Sequence, residues 1–126
     1  VATARDYLRF SQMMLNGGEL DGVRILSPKT VQLMTTNHIG DLPMGFGRTG
    51  AGFGLDFGVV LDPGAVGEVS SAGEYNWGGA AGTRFWIDPQ EKMIGLFMVQ
   101  SIPHRTRLAG DFKVLAYQAM TESYAD

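Results

Sequence analysis

Between Tyr75 and Gln90 two aromatic, strand-like stretches are joined by Gly78-Gly79-Ala80-Ala81-Gly82, five consecutive positions with little or no side chain. A hairpin needs much less, since an Asn-Gly or Asp-Gly pair is enough to turn the chain. The run therefore predicts either a tight hairpin connection or a place where something must come close to the backbone. The chain holds 18 glycines, and much of this glycine lies between Gly40 and Gly82, which predicts turns and strands there.

The period of the apolar residues places the remaining elements. Thr3 followed by Asp6 resembles a capping box, and Ala4, Tyr7, Leu8, Met14 and Leu15 then share one face of a helix that runs to about Asn16. Gly17 suits a left-handed C-terminal cap, and Glu19 to Arg24 reads as a small hairpin turning on Asp21-Gly22. Ser27 as N-cap and Pro28 at the first position open a short helix with Val31, Leu33 and Met34, ending near Thr36. The period then becomes strand-like over Phe53 to Leu61, Tyr75 to Gly79, Thr83 to Asp88 and Met93 to Gln100, with Pro89 pre-setting the last turn. Leu108, Phe112, Leu115, Ala116, Ala119 and Met120 form the stripe of a final amphipathic helix able to cover one sheet face. This order predicts an α+β fold: an antiparallel sheet of four to five strands with N-terminal helices and a C-terminal helix packed on it.

With 126 residues the chain is expected to form a single domain, 1–126, with one core. A formal charge of −3 offers no basic footprint for nucleic acid, and no apolar run approaches the roughly 20 residues that cross a bilayer. The start, VATARDYLRF, has neither a basic leader nor an apolar signal core, so the chain as written is expected to be soluble. Without cysteine there is no thiolate nucleophile and no Cys-based metal site.

The side chains offer little chemistry of their own. Gly45 to Gly50 matches G-x-G-x-x-G, but neither the strand before it nor the helix after it that a dinucleotide site requires is visible. His38 and His104 read as lone loop histidines, and the pairs Asp56/Asp62 and Glu68/Glu74 as solvated carboxylates at turns and strand ends. There is no G-x-S-x-G elbow, and no serine is followed by lysine at the third position, so no nucleophile is recognisable.

TARDYLRFSQMMLNGGELDGVRILSPKTVQLM, taken with YNWGGAAGTRFWIDPQEKMIGLFMVQ, resembles the C-terminal part of the serine β-lactamase and carboxylesterase family, the penicillin-recognising fold. A helix ending in LNGG, a small hairpin, ILSP opening a helix, then WGG and a FWIDP strand follow in the family's order across nearly the whole chain. The resemblance implies a partial β-lactamase/transpeptidase-like fold and a serine hydrolase of esters or β-lactams. It puts Trp77, Gly78 and Gly79 in the place of the family's substrate-binding K-T-G or W-G-G triplet, and makes the Ala80 backbone N–H one arm of an oxyanion hole. The family's S-x-x-K serine and lysine have no counterpart here, and Tyr75 sits on the wrong element to be its catalytic tyrosine. Trp77 in place of lysine removes a cation that would hold a substrate carboxylate. Gln100, Ser101, His104 and Arg105 fall in a region that borders the pocket in the family.

The expectation is therefore a C-terminal portion whose Ser, Lys and Tyr lie outside this sequence, in a soluble bacterial-type protein of cytoplasm or periplasm. No metal or organic cofactor is implied, and the partners are a small-molecule ester or β-lactam, without nucleic acid or membrane. A non-catalytic module that binds a partner or itself is the second reading. Open strand edges and apolar faces at Phe85, Phe97 and Phe112 then predict self-association, or pairing with the missing N-terminal part.

Overall fold

The Thr3 hydroxyl accepts the Asp6 N–H at 3.2 Å and starts helix α1 (Ala4–Leu15), which gives way to Gly17 at φ +69°. In the computed structural model, which describes residues 2–45 and 47–124, β1 (Glu19–Leu20) and β2 (Val23–Arg24) form the small hairpin. Val1, and Phe46 of the glycine motif, lie outside the described residues. Ser27 accepts the Thr30 N–H at 3.0 Å and opens α2 (Pro28–Met34). There follow β3 (Ala51–Phe53), β4 (Gly58–Val60), the short α3 (Pro63–Val66), β5 (Tyr75–Gly78), β6 (Arg84–Asp88), β7 (Met93–Phe97) and α4 (Leu108–Gln118). Strands β3 to β7 make one antiparallel sheet in chain order, so the fold is α+β, with helices against the sheet as the sequence pattern predicts. Among the described residues no helix is long and apolar enough to cross a membrane.

Phe53 to Leu61, expected to be one strand, is a hairpin. Gly54 N–H donates to Phe57 O at 2.8 Å, and Asp56 takes φ +71°, a conformation that Asp tolerates better than most residues. The chain reverses here because the end of α2 intrudes: Leu55 N–H donates to Met34 O at 2.8 Å, and a Cβ on Gly54 would overlap that carbonyl.

Alternation along β6 divides the molecule into two layers. Phe85 and Ile87 face α1 and join Met13, Met14, Val31, Phe57, Val59 and Tyr75 in the apolar core. Phe85 is only 6% exposed, so it is not the open apolar face that the sequence suggested. Trp86 and Asp88 point the other way, toward α4, and both are fully buried. The Trp86 indole lies over Gly95 of β7 and meets the Phe112 ring edge-on at 5.8 Å.

The α4 face differs from its expected stripe. Leu108 and Leu115 are exposed, while Ala109 and Lys113 are buried and Tyr117 is half-buried. A polar cluster explains the shift. Glu74, expected to be solvated, is fully buried; its Oε1 accepts from Lys113 Nζ at 2.7 Å and from Asn76 Nδ2 at 3.1 Å. The Tyr117 hydroxyl lies 2.7 Å from Asp88 Oδ2 and 3.0 Å from Glu74 Oε2. Burying a charged group without a partner is costly, so Lys113 and Tyr117, rather than the leucines, decide which side of α4 meets the sheet.

Candidate active site

Strand β5 carries Trp77 and Gly78, and its two edges differ. On one side β6 pairs along its full length, through Trp77↔Phe85 to Gly78↔Arg84. On the other, β4 stops pairing at Gly58↔Asn76. The main chain from Trp77 onward is therefore open to approach from the β4 side. Trp77 faces the α1 layer, 37% exposed, with its indole edge-on to Phe53 at 5.1 Å.

The turn that follows is closed by Gly79 N–H to Thr83 O at 2.8 Å and Gly82 N–H to Gly79 O at 2.9 Å. Gly82 takes φ +90°, as expected of the glycine that completes a three-residue hairpin loop. Ala80 and Ala81 form the tip, and among the described residues the N–H of neither donates to any hydrogen bond.

The glycines of this run are not equivalent. Gly82 is required twice, by its positive φ and because a Cβ there would overlap the His104 ring. Gly78 and Gly79 have no positive φ, and a Cβ on either would come no nearer than 3.4 Å and 3.9 Å to other atoms. Among the described residues nothing requires glycine at those two positions.

A cavity of about 550 Å³ opens beside this strand on the α4 side, lined by Trp77, Gly78, Gly79, Arg84, His104 and Lys113 among others; Ala80 stands outside it. Its wall is charged. Arg84 donates to Glu68 Oε2 at 2.6 Å, and Lys113 Nζ lies 3.8 Å from the same oxygen. Burial pushes the Glu68 carboxyl up, but the Arg84 hydrogen bond and the charges of Arg84, Lys113 and Arg48 outweigh it and hold the group below the ordinary carboxylate range. Burial raises Glu74, only partly offset by Lys113, and raises the Tyr75 and Tyr117 phenols.

The structure thus brings Trp77, Gly78, Gly79 and Ala80 onto one strand end and its turn. Ser101 N–H donates to Ala81 O at 3.0 Å and His104 packs on Gly82, so the loop after β7 backs this turn. Nothing in the local sequence announces that contact. His38 lies elsewhere, its Nε2 2.7 Å from Leu33 O at the end of α2. Gly50 leads into strand β3 rather than a helix, so the glycine motif lacks the setting of a phosphate loop. Among the described residues no group of three or more His, Asp or Glu side chains could hold a metal ion.

The chain belongs to the beta-lactamase family, a family of serine hydrolases, whose model matches residues 1–118. It is 40% identical over 114 residues to two proteins from strains of Mycobacterium tuberculosis, MT1414 and Rv1367c, a match that covers 81% of this chain. The chain spans 28% of the length of these curated relatives. Its fold is similar to that of EstCE1, a hydrolase with promiscuous acyltransferase activity, at a TM-score of 0.79 and 24% identity, covering 92% of this chain and 30% of that one. That likeness is one of fold.

Proposed function

We propose that this chain is the C-terminal portion of a serine hydrolase acting on small esters or β-lactams through an acyl-enzyme. It supplies the Trp77-Gly78-Gly79 strand and, in the Ala80 N–H, one oxyanion donor; the nucleophilic serine, its lysine and the tyrosine lie in the rest of the protein. The observation that carries this reading is the mismatch at the turn: among the described residues, Gly78 and Gly79 have room for a side chain and Ala80 N–H has no partner. Small residues and a free donor are what an incoming carbonyl needs, because the donor must lie about 3 Å from the developing oxyanion. Relatives several times longer than this chain support the division of labour.

Such donors act without any titratable side chain, and loss of one typically lowers kcat by about 10²–10³. The test is hydrolysis of a short-chain p-nitrophenyl ester by the full-length protein, with covalent labelling by a serine-directed phosphonate. Turnover with a labelled serine outside residues 1–126 is expected. No turnover and no labelling would leave the alternative, a module that binds a partner or a second copy of itself.

A further inference from the structure

We infer that His104 is a positioning residue for the turn that presents Ala80, an inference that rests on the oxyanion reading above. The ring of His104 occupies the space where Gly82 lacks a side chain. Among the described residues its buried Nδ1 has no hydrogen-bond partner, and its Nε2 meets Thr106 Oγ1 at 3.5 Å. A buried polar atom left unpaired costs free energy, so such an atom calls for an explanation. Here it lies in a flat ring wedged behind the one position of the turn that must be glycine. Gly82 is buried beneath it, and Gly82 N–H closes the turn onto Gly79 O at 2.9 Å.

Two further bonds tie the same loop to the hairpin: Ser101 N–H to Ala81 O at 3.0 Å, and Thr83 Oγ1 to Val99 O at 3.2 Å. At the tip, Ala80 is exposed and Ala81 only half-buried, whereas Gly82 is buried. The angle at which Ala80 N–H leaves the turn is therefore set from behind, through Gly82, by a ring that itself stays 22 residues away in the chain. An oxyanion donor tolerates little error in direction, and displacement of a catalytic group by about 1 Å costs as much as 10²-fold in rate.

The experiment uses the full-length protein and compares a short-chain p-nitrophenyl ester with its thionoester, whose sulfur is a weak acceptor for a backbone N–H. Wild type is expected to prefer the oxygen ester by well over the ratio seen in hydroxide hydrolysis. His104→Ala is expected to lower kcat for the oxygen ester about ten- to a hundredfold with KM within about twofold, and to affect the thionoester less. His104→Phe, which keeps a flat ring and removes both nitrogens, is expected to restore most of kcat. Unchanged kcat in His104→Ala, or equal losses on the two esters, overturns the inference. So does a His104→Phe variant as impaired as His104→Ala, because the nitrogens rather than the ring's shape would then be at work. Wild type without oxygen-ester preference would instead overturn the oxyanion reading itself.

Discussion

Lys113 Nζ lies 2.7 Å from Glu74 Oε1, with both side chains shut away from solvent, and so joins helix α4 to the residue that precedes β5. The contact links the helix of one layer to the strand that carries Trp77 and Gly78. Among the described residues, the buried charged side chains Glu74, Asp88 and Lys113 all gather in this cluster.

Breaking a buried pair from one side strands the other charge, at a typical cost of about 3–5 kcal/mol. Lys113→Met fills the volume without the cation. We expect a loss near the lower end of that range at pH 8, and a smaller one at an acid pH, where the carboxyl that burial raises can take up a proton. Urea unfolding of the variant and wild type at the two pH values measures both.

Glu74 also sets a pH dependence of its own. Tyr117 carries one hydroxyl hydrogen but faces carboxylate oxygens of both Asp88 and Glu74, so both contacts are satisfied when Glu74 carries a proton. Its folded pKa is raised above the ordinary 4.5 by burial, against the opposing pull of Lys113. The folded chain then holds a proton that the unfolded chain has released, so this group's contribution to stability falls as pH rises above about 4.5. Glu68, held low, contributes in the opposite sense and is lost as pH falls below the ordinary value. Glu74→Gln mimics the protonated form, and is expected to flatten the decline in stability above that pH while leaving the acid limb unchanged. Thermal melts across the range would show an unaltered slope if Glu74 is ionised throughout.

Gly95 offers a sharper packing test. A Cβ there would run into the indole of Trp86, which is fully buried. Gly95→Ala is expected to cost about 2 kcal/mol or more through overpacking, with the red-shifted fluorescence of a displaced tryptophan. A variant as stable as wild type would mean that the β7 backbone and the indole are less closely apposed.

At the triplet, Trp77 offers apolar area and one N–H donor where a lysine would offer a compact cation. Neutral acyl esters are expected to be favoured over carboxylate-bearing lactams, and Trp77→Lys to move the ratio of kcat/KM for a p-nitrophenyl ester and a cephalosporin about ten- to a hundredfold toward the cephalosporin. An unchanged ratio would show that position 77 does not set selectivity.

Local signals were legible where one residue type dictates one conformation. Ser27 and Pro28 start α2, Gly17 ends α1, and Pro89 marks the turn between β6 and β7, all near where the sequence places them. What escaped was decided by distant partners. The break after Phe53 depends on the α2 carbonyl of Met34, and the face of α4 on a carboxylate 39 residues before Lys113. Glu74 reads as a strand-end acid until its cation is in place, and His104 reads as a loop residue until Gly82 is beneath it. The proposed roles of Trp77, Gly78, Gly79 and Ala80 come from family order rather than from reactive side chains, since the glycines leave visible only the absence of bulk.

The donor proposed at Ala80 belongs to the main chain, and that proposal has an evolutionary corollary. Every residue except proline carries the same N–H, so the letter at position 80 can drift while the hydrogen bond persists. Selection would act instead on whatever keeps the hairpin's shape: the left-handed glycine at 82 and the ring behind it. In a saturation library scored for hydrolysis, position 80 would then tolerate most small replacements and reject proline, while position 82 would accept almost none.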